Sequence, residues 1–178
     1  AHTLKNQGIN RIDGIILTHF DLDHGGGVRD LMAQIDTTWL YLPDAEPDAP
    51  LRMELEQSAG EKIQWVRNTK YISFGNAVLT IYPADYGKIA NESSMCILFQ
   101  SGKYDILITG DKNQEEERLL LQDVALPDIE ILIVGHHGSA GSTSMELLDA
   151  IRPGLAIISA DGNNKYGHPS VATLKRLE

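Results

Sequence analysis

Short apolar runs recur along the chain and alternate with stretches whose apolar residues repeat every three or four positions. The runs predict strands over residues 13–18, 37–42, 63–66, 71–74, 77–82, 95–100, 104–109, 129–134 and 155–159. Helical spacing over 28–35, where Val28, Leu31, Met32 and Ile35 share a side, predicts the first helix. Further helices are predicted over 51–59, 114–122, 144–151 and 170–177. Three prolines mark 43–50 as a surface loop, a polar loop covers 85–94, and Ser101-Gly102-Lys103 joins two of the strands. Strands that alternate with helices favour a layered α/β fold over an all-β one.

Composition narrows this picture. With 178 residues, 42% of them hydrophobic, the chain can bury a sizeable core, and one domain is expected over residues 1–178. The formal net charge of −10 argues against a broad phosphate-binding face of the kind that sequence-reading DNA binders use. It leaves phosphate chemistry open, because bound divalent ions would invert the field locally. The one cysteine, Cys96, sits in an apolar run and reads as a small buried hydrophobe, which excludes an intrachain disulfide framework and a multi-cysteine zinc site. No apolar run approaches the length of a membrane span, and no signal-like segment opens the chain.

The polar clusters fall where predicted strands end, which in layered α/β folds is a shared edge and the usual place for a site. The densest is Thr18-His19-Phe20-Asp21-Leu22-Asp23-His24-Gly25-Gly26, with four potential metal ligands in six residues. Any one of them could be a polar residue at a solvated strand end; the four together are hard to explain as structure. If the backbone stays extended, His19, Asp21 and Asp23 point the same way and His24 turns in from the next position, so that two ions could share one loop. The other clusters are Gly110-Asp111, His136 with His137, and the stretch that ends at His168. In an extended backbone the adjacent His136 and His137 cannot both point one way, so one is expected to act as a supporting or acid group. Ser142, Thr143 and Ser144 read as helix caps, Glu115 to Glu117 as the acidic first turn of a helix, and Trp39 and Trp65 as core or rim packing. Ser139, beside the histidine pair, and Tyr166, beside His168, are candidates for contact with substrate.

The series THFDLDHGGG, NESSMCILF, LITGD, IVGHHGSAGSTS and NNKYGHP, in this order, resembles the metallo-β-lactamase-like hydrolase superfamily, and most closely the ComEC-type DNA-internalisation competence proteins. The resemblance implies an αβ/βα sandwich with a one- or two-metal site at the sheet edge. It assigns His19 and Asp21 to one metal, Asp23 and His24 to the other, and Asp111 to both, with His136 or His137 completing the second. Asp21 stands where the superfamily usually has a second histidine. This hardens the ligand set, so that manganese or iron becomes suitable beside zinc. The superfamily's separate middle histidine is missing; Asn91 and Ser94 stand in that region and, with Ser139 and Tyr166, are the expected substrate-binding residues. Asp23, His137 and His168 are the expected catalytic groups, His168 through substrate contact or proton transfer.

What the resemblance implies is metal-assisted hydrolysis, by attack of a hydroxide held between two divalent ions, with no nucleophilic serine or cysteine. A phosphodiester is the expected substrate, DNA above all. A small phosphodiester such as a phosphorylcholine ester is the competing one, and a binding module with an inactive site is the reading from a different class. A β-lactam fits poorly, because the first motif is not tri-histidine. Members of the superfamily usually place two or more strands before the first histidine motif, so the chain is expected to be a piece of a longer protein whose remainder could include a membrane channel. In a competence protein the domain would be extracytoplasmic or membrane-associated.

Overall fold

The structure, a computed structural model, describes residues 1–84, 94–162 and 165–178. Strand β1 (Arg11–Ile16) pairs in parallel with β2 (Asp36–Pro43), and β2 pairs in parallel with β3 (Ile63–Val66). A second sheet runs in the order β4 (Lys70–Phe74), β5 (Ala77–Tyr82), β6 (Cys96–Ser101), β7 (Tyr104–Ile108), β8 (Ile131–Ile133) and β9 (Leu155–Ile157). It is antiparallel from β4 to β7 and parallel from β7 to β9.

Alternation along the strands decides which layer each residue joins. On β2, Leu40 and Leu42 pack outward against α3 (Val28–Gln34) and α4 (Pro50–Ala59), while Tyr41 faces the other sheet. On β6, Cys96 and Leu98 join the outer core with α5 (Gln114–Asp123) and α6 (Met145–Ile151), while Ile97 lies between the sheets beside Val66, Ile81 and Met95. Each central strand is therefore apolar on both faces, as a strand covered on both sides must be. The result is helix, sheet, sheet, helix in layers, the sandwich that the motifs led one to expect. Burial pushes the Cys96 thiol up to about 12, as befits a hydrophobe in the core. Among the described residues no helix is long and apolar enough to cross a membrane.

Strands β8 and β9 are shorter than their predicted runs, and two other stretches differ from the sequence reading in kind. A helix, α1 (His2–Asn6), precedes β1, where none was predicted. The first strand ends at Ile16, two residues before its predicted end, and the chain then turns into α2 (Leu22–Gly25), whose first turn closes as the Asp21 carbonyl accepts from the amides of His24 and Gly25 at 3.1 and 2.8 Å. The extended alternation expected for His19, Asp21 and Asp23 is thus replaced by a helical turn. The final helix, α7 (Val171–Leu177), follows Ser170, whose hydroxyl accepts from the Thr173 amide. The predicted loop over 85–94 lies outside the described residues except for Ser94.

Candidate metal centre

The centre is built where the two sheets meet at their strand ends. The Met95 amide donates to the Thr18 carbonyl at 2.8 Å, which ties the segment after β1 to the start of β6. Gly110, just past β7, has φ of +59°, and a Cβ there would lie 2.9 Å from Ser94 Cβ, so the turn into Asp111 needs a glycine on both counts. The Gly110 carbonyl then accepts the His136 amide at 3.0 Å, which joins the turns after β7 and β8.

Asp111 lies at the middle, almost wholly buried, and its two oxygens face different groups. Oδ1 is 3.3 Å from His24 Nε2, while Oδ2 is 3.8 Å from His19 Nε2 and 3.6 Å from His136 Nε2. His19 Nε2 also lies 3.8 Å from Asp21 Oδ2. On the Oδ1 side, His137 Nε2 stands 3.1 Å from His24 Nε2 and 3.2 Å from Asp23 Oδ2. Asp111 thus faces His24 with one oxygen and His19 and His136 with the other, while Asp21 lies beside His19 and Asp23 lies beside His137. Atoms of His19, His24 and Asp111, and again of Asp23, His24 and His137, lie within 4.8 Å of one another.

Residues behind the donors hold them in place. The Thr18 and Ser94 hydroxyls sit 3.0 and 3.1 Å from His19 Nδ1, and the Ser94 oxygen also accepts the Asp111 amide at 3.0 Å. With its Nδ1 proton given to either hydroxyl, His19 keeps a lone pair on Nε2, a buried atom with no hydrogen-bond partner among the described residues. His137 Nδ1 donates to the Ser159 carbonyl at 2.8 Å, which frees its Nε2 in the same way. An orphaned buried nitrogen, together with imidazole and carboxylate atoms converging on it, fits a divalent cation.

Electrostatics follow this geometry. Burial, with the charge of His24 beside it, holds His19 below the usual histidine value against the pull of Asp111, Asp21 and Asp23. Burial acts on His24 in the same direction, but its bond to Asp111 and the nearby carboxylates outweigh that and hold it above. Asp111 resists the upward push of burial, because the bond from His24 and the charges of His24, His19 and His136 hold it low. An ionised carboxylate among imidazoles that can give up their protons is the state in which metal ligands bind.

Both members of the histidine pair face inward, contrary to the expectation from an extended backbone. His136 and His137 have φ of +48° and +54°, and these two consecutive left-handed residues swing both rings toward Asp111 and Asp23. Such a conformation costs energy in residues other than glycine and is held here from outside. The Gly135 amide donates to Thr143 Oγ1 at 3.2 Å. The amides of Thr143 and Ser144 donate to the two carboxylate oxygens of fully buried Glu117 at 2.6 and 2.8 Å. Arg176 of α7 donates to the carbonyls of Thr143, Ala140 and Ser142.

The other expected site residues are placed as follows. Asn91 lies outside the described residues. Ser94 is buried behind His19 and Asp111, and the Ser139 hydroxyl accepts from the Gly141 amide at 3.3 Å. Asp23, His137, Tyr166 and His168 line a cleft of about 500 Å³ together with Lys165 and Asp161, and a second cavity of about 310 Å³ reaches His24, Asp111 and His136. Burial, with His136 and His137 nearby, holds His168 below its usual value, and its Nδ1 is buried without a partner among the described residues. Sequence reasoning missed Thr18 and Ser159 as supports and Lys165 as a lining residue. A backbone carbonyl such as that of Ser159 carries no side-chain signature at all. Glu117 had a signal, an acidic residue one turn into a helix, but the same signal describes a solvated first turn.

Comparison with known proteins places the chain among relatives. A family model described as the metallo-beta-lactamase superfamily matches residues 2–162. The chain is 30% identical over 180 aligned residues to ComE operon protein 3 of Bacillus subtilis (98% of this chain, 23% of that protein). It is 31% identical over 180 residues to Recombination protein 2 of Haemophilus influenzae (98% and 21%), and 28% identical over 177 residues to Competence protein ComA of Neisseria gonorrhoeae (98% and 24%). It therefore spans less than a quarter of the length of these curated relatives. Among solved structures it superposes on CmlA, a diiron beta-hydroxylase from Streptomyces venezuelae, with a TM-score of 0.61 at 14% identity (94% of this chain, 41% of that one). The metallo-beta-lactamase fold protein YhfI from Bacillus subtilis gives 0.51 at 10% identity (98% and 74%). At these identities the two structures establish likeness of fold.

Proposed function

The chain belongs to the metallo-β-lactamase superfamily, and on that premise we propose that it is a metal-dependent phosphodiesterase that acts on DNA. The observation that carries this reading is the placement of Asp111, one oxygen toward His24 and the other toward His19 and His136, between two sets of donors. His19, Asp21, His136 and Asp111 would hold one divalent ion, and Asp23, His24, His137 and Asp111 the other, with zinc, manganese and iron all suited to mixed imidazole and carboxylate donors. Bound there, the ions would supply water of lowered pKa and positive charge against the charge that builds on a phosphoryl group.

The chain's own residues do the rest. Ser94 orients the His19 ring and fixes the Asp111 backbone with one oxygen, so the two donors cannot move independently. The Ser159 carbonyl keeps the His137 proton on Nδ1 and its other nitrogen turned inward. His168, on the cleft wall beside His136, would serve substrate contact or proton transfer at the departing oxygen. Resemblance to DNA-internalisation proteins, and relatives named for competence and recombination, support DNA as the substrate.

The test is hydrolysis of end-labelled DNA by the purified protein with added Mn²⁺ or Zn²⁺, beside Asp111→Asn, with bound metal measured in both. Asparagine keeps the shape but loses the charge and one of the shared donor oxygens, so cleavage should fall by about 100-fold or more and metal content should drop with it. Folded, metal-loaded wild type that leaves both single strands and duplexes intact would remove the nuclease reading and turn the search to small phosphodiesters.

A further inference from the structure

We infer that Tyr166 and Lys165 form a stacking platform for an unpaired nucleobase, which makes single-stranded DNA the preferred substrate; the inference rests on the phosphodiesterase reading above. Tyr166 is an aromatic residue with 73% of its surface exposed, so it does little packing where it stands. Its ring is nonetheless held in position. It lies 26° from parallel with His168 at a centroid distance of 6.3 Å, and Lys165 Nζ sits 4.8 Å from the ring centroid and 3.0 Å from the hydroxyl. An open aromatic face beside a cation is what a base and its phosphate together require.

Position ties this pair to the chemistry. Tyr166 and Lys165 line the same cleft as Asp23 and His137, so a base resting on Tyr166 brings its own phosphate toward the metal donors. Charge then selects the form of the nucleic acid. Among the described residues that line the two site cavities, Lys165 is the one lysine or arginine, and the chain as a whole carries −10. Tight duplex binding depends on many phosphate contacts, more than the one lysine among the described lining residues can make. A base inside a duplex has both faces covered by its neighbours and reaches an aromatic platform only after it has been unstacked and unpaired. A single strand offers bases with free faces and needs few cations.

The experiment is fluorescence anisotropy with a short labelled DNA strand, the same strand annealed to its complement, and the strand with abasic sites, at fixed ionic strength without added metal so that nothing is cut. Wild type should bind the strand about tenfold or more tightly than the duplex. Tyr166→Ala should lose about tenfold on the strand, Tyr166→Phe should retain wild-type affinity, and wild type and Tyr166→Ala should bind the abasic strand alike. Lys165→Gln should weaken strand binding, and the same titration repeated at several salt concentrations should show a dependence shallower by about one counterion. Equal wild-type affinity for strand and duplex, an unchanged Tyr166→Ala, or an equal loss on the abasic strand would each overturn the platform. Hydrolysis of bis(4-nitrophenyl) phosphate by metal-loaded wild type separates the two readings. Turnover without strand preference overturns the platform alone, whereas base-dependent strand binding without turnover of any phosphodiester upholds the platform and removes the hydrolase.

Discussion

Glu117→Gln puts the support of the histidine pair to a direct test. The two carboxylate oxygens each accept one backbone amide, from Thr143 and Ser144, and the residue has no exposed surface. Glutamine fits the same space but offers one acceptor and turns an NH₂ group toward the second amide. The variant loses one bond to a charged acceptor, worth about 1.5–3 kcal/mol, and leaves a buried donor unmatched. Some of this is offset because the amide is easier to bury than the carboxylate, which leaves about 2–3 kcal/mol. For a chain of this size that lowers Tm by about 4–12 °C. Thr143, at φ of +53°, would relax first, and its hydroxyl holds the Gly135 amide, where the histidine turn begins. Metal affinity should therefore fall together with stability. Thermal unfolding by circular dichroism and a chelator-competition titration read the two effects. Glu115→Gln, at an exposed pair with Arg118, should stay within about 0.5 kcal/mol of wild type. A Glu117→Gln protein that melts within a degree of wild type would refute the reasoning.

Two further outcomes follow from the same geometry. Ser94→Ala removes the oxygen shared by His19 and the Asp111 amide, so metal affinity should weaken by about 10–100-fold in a titration against a chromogenic chelator, and unchanged affinity would show that the serine orients nothing. Gly138→Ala places a Cβ 2.7 Å from that of Pro169 at a φ of +82°, so it should cost about 2 kcal/mol or more in denaturant unfolding, while Gly141→Ala, whose nearest contact would be 3.9 Å away, should be nearly neutral; equal midpoints for the two variants would contradict the crowding argument.

The periodic parts of the chain were legible and the turns were not. Strands β3 and β5 lie where their apolar runs predicted, residue for residue, and α5 differs by one residue at its end, because burial on one or both faces writes itself into alternation. The gathering of histidines and aspartates at one place was legible for a different reason: their residue types stood out at the ends of predicted strands, which a layered fold brings to one edge. The geometry of that set was hidden. Asp21 to Gly25 coil because the Asp21 carbonyl is satisfied locally by two amides, which apolar spacing does not report. The left-handed pair His136 and His137 is imposed by Gly110, Thr143, Glu117 and Arg176, which come from other parts of the chain. No local preference of histidine would suggest it.

The guanidinium of Arg176 has a consequence in time. It lies 33 residues beyond Thr143, the carbonyl it grips. During synthesis that arginine is added 39 residues after His137. Until α7 folds back, the turn that carries His136 and His137 lacks the grip of Arg176 on the carbonyls of Ala140, Ser142 and Thr143. The order of synthesis thus sets the side chains of the candidate site ahead of the contact that latches the turn bearing two of them.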